Sequence, residues 1–232
     1  MDRIAELLVE LKPDIVCLQE GFVSGDISLI REPLRDIGLR FAIYYPSGVV
    51  GSGLWILSRF PIRETYFKRF SKNGVFHDTR GGDWWAGKGV AFARLELSED
   101  KYLDLYNTHM ICNLGPQELR AHRMDQAREL AEFAGATTPD SIPAIVLGDF
   151  NCGPGSAEFN LIEECLGWEA LLERPAIFDH IQGLGRWSGY SFEHLDEHTI
   201  HGTVATEDGE VWISDHSGLF LRVQIACLDA PA

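Results

Sequence analysis

The sequence has few features of secreted or membrane-spanning proteins. Its five cysteines stand at long spacings, an odd number without a CxxC pair, which favours neither a disulfide framework nor a zinc site. No apolar run approaches the roughly 20 residues of a membrane-spanning helix. The N-terminus has the pattern of a helix rather than of a signal peptide. We therefore expect an intracellular protein, either cytoplasmic or in peripheral contact with a membrane.

Positive charge is also scarce, with 20 Lys and Arg against 35 Asp and Glu and a net charge of −15. Such a surface repels a nucleic-acid backbone and lacks the basic footprint of a general DNA-binding protein. A divalent cation held by clustered carboxylates would still let an anionic phosphate approach, so a nuclease is less expected but not excluded. The length of 232 residues, 45% of them hydrophobic, suits a single domain over residues 1–232 with an extensive core.

Short apolar strands alternate with amphipathic helices along the chain. The helical periodicity of apolar residues predicts helices over residues 2–11, 26–38, 116–133 and 156–165. Strands are predicted over residues 14–20, 41–45, 52–62, 90–97, 102–108, 142–147, 176–181 and 218–225. Residues 71–89 have the composition of a loop. These elements predict an α/β fold in which two packed sheets bury the apolar strands.

One predicted strand ends in a pattern that is typical of an active site. The apolar run ends at Gly148, is followed by Asp149 and Asn151, and stops in a Gly/Pro turn. Residues i and i+2 of a strand point to the same face, so the two side chains are expected to project together from its carboxyl end. An Asx turn before the next helix explains the same residues equally well.

Other strand ends also carry side chains that bind metals or transfer protons. Glu20 and His109 each follow an apolar strand, and Asp215 with His216 precedes the last strand. Asp179 stands among apolar neighbours and needs a partner if it is buried. Carboxylate and amide oxygens favour Mg²⁺ or Mn²⁺ over zinc, and the histidines and carboxylates can supply general acid and base.

Five segments occur in a fixed order: Leu18-Gln19-Glu20, Asn107-Thr108-His109, Gly148-Asp149-Phe150-Asn151, the Asp179 strand and Ser214-Asp215-His216. In this order they resemble the endonuclease/exonuclease/phosphatase superfamily of metal-dependent phosphoesterases. The resemblance implies a four-layered sandwich, with two mixed β-sheets packed face to face, helices on the outside and a site at one rim. That family begins with a strand ending in a metal-binding Asn, whereas this sequence begins at the following helix. We therefore expect the first strand to be lacking here, unless it lies upstream of Met1.

Three further segments resemble the neutral sphingomyelinase branch of that superfamily. They are residues 51–62, the run 82–88 and the run 121–130. Asp83 and Lys88 have the spacing of an Asp/Lys pair that this branch uses in a lipid-sensitive loop. Trp84 and Trp85 between them either cover the core or meet a lipid interface. His109 stands where repair endonucleases usually have a tyrosine, but deoxyribonuclease-like and inositol-phosphatase-like branches share the histidine.

The resemblance also implies a role for each candidate metal-binding or proton-transferring residue. Glu20 is the principal Mg²⁺ ligand, with Asp215 beside the metal. Either Asp149 or His216 activates the attacking water, and Asp179 orients the imidazole of His216.

Two further residues, Asn151 and His109, are implied to bind the phosphate, and His109 also to protonate or stabilise the leaving alkoxide. The implied reaction is the Mg²⁺-dependent (or Mn²⁺-dependent) hydrolysis of sphingomyelin, or of a related phospholipid, to ceramide and phosphocholine. A nuclease, or an inositol-phosphate or other phosphatase of the same superfamily, is the first alternative. The second is a catalytically impaired binding module.

Overall fold

The structure is a computed structural model that describes residues 2–74, 76, 82–112, 117–171, 181–187, 190–200, 203–206, 209–212 and 218–227. Within these residues the helices are α1 (Asp2–Leu11), α2 (Ser24–Asp36), α3 (Asp83–Ala86), α4 (Gln117–Thr137) and α5 (Ala157–Leu166). The strands are β1 (Ile15–Leu18), β2 (Phe41–Tyr44), β3 (Trp55–Ser58), β4 (Ile62–Arg69), β5 (Gly89–Ser98), β6 (Lys101–His109), β7 (Ala144–Asp149), β8 (Glu169–Ala170), β9 (Ile181–Arg186), β10 (Tyr190–Ile200), β11 (Thr203–Thr206), β12 (Gly209–Trp212) and β13 (Gly218–Cys227).

The larger sheet has the strand order β4-β5-β6-β7-β9-β8. β6 and β7 pair in parallel, and the other pairs are antiparallel, so this sheet is mixed. The parallel pair requires a crossover, which α4 provides. In the smaller sheet, β3 lies between β1 and β2 and is antiparallel to both. Two further antiparallel pairs, β10 with β13 and β11 with β12, follow in the sequence.

Alternation along the strands divides the apolar core into three clusters. Residues such as Ala91 and Ala93 of β5 pack with Ile56 of β3, between the two sheets. The intervening Phe92 faces the other way, into a cluster with Leu130 of α4 and other residues of α4 and α5. A third cluster joins α1 and α2 to the outer face of the smaller sheet. Each large apolar side chain buried in this way stabilises the fold by about 1.5–3 kcal/mol before the entropy cost.

The three clusters define four layers: α1 and α2, the smaller sheet, the larger sheet, and α4 with α5. The predicted four-layered α/β sandwich is confirmed, and the described part of the smaller sheet is antiparallel. The expectation that a first strand is lacking stays a prediction. No described helix combines the length and the apolar composition needed to span a bilayer.

Several predicted elements have different boundaries in the structure. The strand predicted over residues 52–62 is divided, because β3 ends at Ser58 and the chain resumes as β4 after Pro61. Strand β4 escaped prediction because it is an edge strand with mostly exposed side chains, so it lacks the apolar alternation of a half-buried strand. The loop predicted over residues 71–89 contains one helical turn, α3, and the end of this range opens β5. Strand β1 ends at Leu18, two residues before Glu20.

Candidate active site

The site lies where the first residue of β5 meets the carboxyl ends of β6 and β7. In the sheet register, Gly89 pairs with His109, and His109 pairs with Asp149. Parallel strands end at the same edge of a sheet, and the antiparallel β5 begins at that edge. Lys88, directly before β5, therefore lies there as well.

Gly148 is required for the close approach of β6 and β7. Its φ is 136°, and a Cβ atom at this position would lie 2.1 Å from the carbonyl oxygen of Thr108. Any side chain would push the two strands apart because the obstructing atom belongs to the backbone. The glycine thus permits the contact between the strand ends that carry His109 and Asp149.

His109 is at the centre of the side-chain contacts. Its Nε2 atom lies 2.5 Å from Nζ of Lys88, 3.5 Å from Oδ2 of Asp149 and 3.9 Å from Oε1 of Glu20. An ammonium group has only protons to donate, so Nε2 accepts from Lys88 and the proton of the neutral ring lies on Nδ1. Lys88 thereby determines the tautomer of His109.

Asp83 compensates the charge of Lys88. Oδ1 of Asp83 lies 3.1 Å from Nζ of Lys88, and their side chains are only 7% and 4% exposed. The backbone N–H of Cys112 donates to Oδ2 of Asp83 at 3.1 Å. Helix α3 makes this possible, because Asp83 opens its single turn and Gly87, with a φ of 64°, reverses the chain before Lys88. The predicted Asp83 and Lys88 pair is therefore a buried ion pair in contact with His109.

Trp84 and Trp85 are half-buried. This exposure is intermediate between that expected for rings that cover the core and that expected for rings that meet a lipid interface. Their rings meet edge to face at a centroid distance of 5.1 Å, and both contact the ring of Phe76, which is 56% exposed. The backbone N–H groups of Val49 and Val50 donate to the carbonyl oxygen of Trp85. The loop between β2 and β3 and the α3 turn are thus joined into one surface.

Asp149 and Asn151 form a turn at the end of β7. β7 ends at Asp149, and Asn151 has a φ of 50°, so the prediction that strand alternation aligns the two side chains is wrong. Instead, Oδ1 of Asp149 accepts from the backbone N–H of Asn151 at 2.8 Å, an Asx turn. The Asn151 side chain donates to the carbonyl oxygen of Met110 at 2.9 Å. The turn leaves Oδ2 of Asp149 directed toward His109.

Glu20 lies in a bend after β1 rather than at the strand end. Its φ is 58°, and its side chain is 58% exposed. Asn107, which is fully buried, brings this segment to β6: its Oδ1 accepts from Gln19, and its Nδ2 donates to the carbonyl oxygens of Leu18 and Trp55. In the sequence analysis Asn107 belongs to a motif but has no role of its own, and its contacts with a second sheet depend on packing that the strand sequence does not show.

Three predicted site residues, Asp179, Asp215 and His216, lie outside the described residues. Within the described part of the chain, no three His, Cys, Asp or Glu side chains are grouped so that they could hold a metal ion. Cys152, next to Asn151, is not a nucleophile at neutral pH, because burial raises the pKa of its thiol to about 11.

Residues 1–216 match the Endonuclease/Exonuclease/phosphatase family. The chain belongs to this family. A "Putative neutral sphingomyelinase" from Drosophila melanogaster is 35% identical over 164 residues, which are 70% of this chain and 37% of that protein. An "Inositol phosphosphingolipids phospholipase C" from Schizosaccharomyces pombe is 32% identical over 164 residues, 70% of this chain and 38% of the relative. The chain spans less than half the length of these relatives.

Three solved structures with the same fold carry three different protein names. Sphingomyelinase C from Streptomyces griseocarneus superposes with a TM-score of 0.69 at 17% identity, covering 97% of this chain and 91% of that one. A variant of beta toxin from Staphylococcus aureus with bound magnesium ions gives 0.68 at 16% identity, with the same coverage of 97% and 91%. The human Nocturnin catalytic domain gives 0.71 at 17% identity, covering 96% and 84%. At these identities the likeness shows the fold alone.

Proposed function

We propose that the chain is the catalytic domain of a Mg²⁺-dependent phosphodiesterase of the neutral sphingomyelinase type, which hydrolyses sphingomyelin or a related phospholipid to ceramide and phosphocholine. The observation that carries the proposal is the buried Asp83 and Lys88 pair in contact with His109. This pair has the spacing found in the neutral sphingomyelinase branch, and a protein named as such is 35% identical to the chain.

The described rim supplies two of the carboxylates that a divalent cation would need, and the proposal takes a further one from Asp215. Glu20 and Asp149 bring two carboxylates to the neighbourhood of His109, and hard carboxylate oxygens are preferred ligands of Mg²⁺ and Mn²⁺. Glu20, with its exposed carboxylate, would hold the ion together with Asp215. When bound, the cation supplies charge stabilisation for the phosphoryl group.

The remaining residues position the substrate and move protons. His109 and Asn151 bind the phosphate in this proposal, and His109 does so together with the ammonium of Lys88, which donates to Nε2 in the structure and supplies the positive charge there. Either Asp149 or His216 accepts a proton from the attacking water, whose oxygen bonds to phosphorus as the bond to the ceramide oxygen breaks. Asp179 orients His216 in this proposal, and the ceramide alkoxide takes up a proton as it leaves.

The test compares two substrates under the same conditions. We expect the chain with Mg²⁺ to release phosphocholine from sphingomyelin in mixed micelles and to leave plasmid DNA intact. Glu20→Gln and His216→Ala, purified in parallel, serve as controls for contaminating activity and should lose nearly all turnover. Nicking of DNA without lipid turnover would support the nuclease alternative instead. Absence of both activities in a folded, Mg²⁺-loaded chain would support the binding module.

Membrane contact is part of the same proposal. The exposed Phe76 packs on Trp84 and Trp85, and the exposed Val49 and Val50 are bonded to the same turn. Aromatic rings at such a rim suit the interface of a bilayer. The double variant Trp84→Ala/Trp85→Ala should bind sphingomyelin-containing vesicles more weakly, and unchanged affinity would return both rings to a core-packing role.

A further inference from the structure

Helix α4 carries two buried polar side chains that the proposed mechanism does not use. Arg123 is 4% exposed and Gln126 is fully buried. Burial of a guanidinium group and of an amide is costly unless each finds hydrogen-bonding partners. The partners of these two residues therefore indicate what the residues are for.

Arg123 connects α5 to the segment that leaves β6. Its Nη2 donates to Oε1 of Glu158 at 3.0 Å, and the Glu158 side chain is only 2% exposed. Its Nη1 donates to the carbonyl oxygen of Cys112 at 3.2 Å. One guanidinium group thus holds a carboxylate of the neighbouring helix and a backbone carbonyl near the site.

Gln126, one turn further along α4, holds two more backbone groups. Its Oε1 accepts from the N–H of Ile111 at 2.8 Å, and its Nε2 donates to the carbonyl oxygen of Lys72 at 2.6 Å. Both of these backbone segments border Asp83. Cys112, next to Ile111, donates its N–H to Asp83, and a Cβ atom at Gly74, in the segment after β4, would lie 3.5 Å from Cβ of Asp83. Helix α4 therefore fixes the backbone on two sides of this carboxylate.

The contacts continue from there to the imidazole. Cys112, whose carbonyl oxygen accepts from Arg123, donates its N–H to Asp83 at 3.1 Å. Asp83 holds Lys88 at 3.1 Å, and Lys88 lies 2.5 Å from Nε2 of His109. The links from Arg123 to Lys88 are charged or backbone groups, and the side chains of Arg123, Asp83, Lys88 and His109 are all buried.

The contacts of Arg123 differ from those of an ion pair that only joins two strands. Arg94, which is 14% exposed, joins the neighbouring strands β5 and β6 through two side-chain hydrogen bonds to the buried Asp104. Arg123 differs from Arg94 because it directs one of its donors at the backbone of the segment that supplies a donor to Asp83.

We propose that Arg123, held by Glu158 and assisted by Gln126, is a positioning residue for the reaction. It fixes Cys112 so that its N–H orients Asp83, which in turn keeps Lys88 on Nε2 of His109 and so determines the tautomer of the imidazole. This inference rests on the proposed function for its kinetic consequence, but its structural consequence can be measured without substrate.

The main variant is Arg123→Lys. A lysine keeps the charge, but a single ammonium group lacks the planar fork that reaches both Glu158 and Cys112. We expect kcat for sphingomyelin to fall by about 10–100-fold, the range found for outer-shell partners of site residues, with KM within about twofold because no substrate contact is lost. Glu158→Gln is the milder second variant and should act in the same direction if Arg123→Lys does not fold.

The readout that separates positioning from stability is the ¹⁵N resonance of His109 in histidine-labelled protein at one fixed pH. The resonance is assigned by its loss in His109→Gln. In the wild type, Nε2 should have the shift of an unprotonated ring nitrogen, and in Arg123→Lys it should move toward that of a protonated one. Asp104→Asn is the control, because it breaks the ion pair of Arg94 with the buried Asp104 and should leave both kcat and the His109 resonances unchanged.

The outcomes distinguish this inference from the proposed function. If the His109 resonance moves in Arg123→Lys while even the wild type lacks lipid turnover, the positioning role stands and the proposed function fails. If turnover is present but the resonances of the two chains coincide, or if Asp104→Asn lowers kcat as much as Arg123→Lys does, the positioning role is overturned.

Discussion

The residues around His109 fall into two groups that differ in their exposure to water. On one side, the side chains of Asp83, Lys88 and Asp149 are between 4% and 7% exposed, and each is held by a named partner. On the other side, the Glu20 side chain is 58% exposed. The candidate site thus has a buried half and an open half.

This difference in exposure determines how charges are balanced in each half. In the buried half, water is unavailable, so each charge must be balanced by a fixed opposite charge or hydrogen bond, and its geometry is preorganised. In the open half, a hydrated carboxylate can exchange water for a cation or a substrate at low cost. Substitutions should therefore affect stability in the buried half and function alone in the open half.

The largest expected effect tests the open half. Glu20→Gln removes the charge of the proposed Mg²⁺ ligand and should lower phosphodiesterase turnover by about 10³-fold, a loss comparable with that of a main electrostatic or acid–base group. Because Glu20 is exposed, the free energy of unfolding should change by less than about 0.5 kcal/mol. Turnover assays and urea denaturation on the same preparation check both. Turnover like that of the wild type would remove Glu20 from the proposed metal site.

The next prediction tests the buried half. Lys88→Met leaves Asp83 as a buried charge without its ion-pair partner and should lower the free energy of unfolding by about 3–5 kcal/mol. The double variant Asp83→Leu/Lys88→Met removes both charges and should regain most of that stability while remaining inactive. Urea denaturation of the three chains gives the comparison. Equal stability of the single variant and the wild type would show that the pair is hydrated in solution.

The two halves also differ in how far the sequence predicts them. The residue types at the strand ends predicted Glu20, His109 and Asp149 as site residues, and the fold brings these three together. His109 and Asp149 end neighbouring parallel strands at one edge of the larger sheet, and Glu20 follows β1 of the smaller sheet. Their roles stay predictions, as do those of Asp179, Asp215 and His216. The sequence left open whether Asp149 and Asn151 continue the strand or form an Asx turn, and the turn forms because a local hydrogen bond competes with strand geometry.

The polar support of the buried half was not predictable from pattern. Arg123 and Gln126 lie on α4 far along the chain from Asp83, and their partners are backbone groups of segments that are distant in sequence. Helical periodicity marks their face as inward, but it does not say which loops meet that face. Likewise, the apolar patterns predicted two sheets, whereas the role of Asn107 in joining them depends on their packing.

A smaller effect concerns the pH dependence of the free energy of unfolding and involves the buried Tyr106. Burial raises the pKa of Tyr106 above its ordinary value of 10.0, although its hydroxyl also bonds to Thr138. Above about pH 10 the unfolded chain loses this proton while the folded chain retains it, so the free energy of unfolding falls as pH rises, by about 1.4 kcal/mol per pH unit for one group. Tyr106→Phe should lose that part of the slope in urea denaturation between pH 9 and about pH 11. Glu20→Gln should keep the slope of the wild type, and a slope unaffected by Tyr106→Phe would assign the alkaline loss to other groups.

The smallest expected effect concerns the apolar rim formed by the loop between β2 and β3 beside the α3 turn. Val49 and Val50 are 66% and 52% exposed, so more than half of each residue stays in contact with water in the folded chain. If this rim enters a bilayer, Val49→Ser/Val50→Ser should weaken vesicle binding by about tenfold, because two valines partly buried in the bilayer contribute about 1–2 kcal/mol. The free energy of unfolding should change by less than about 0.5 kcal/mol. The measurement is co-sedimentation with sphingomyelin-containing vesicles in the Glu20→Gln background, so that the lipid is not consumed. Leu29→Ser, which removes an exposed apolar side chain from α2, is the matched control; an equal loss of affinity there would mean that the chain binds membranes through general hydrophobicity rather than through the rim of its site.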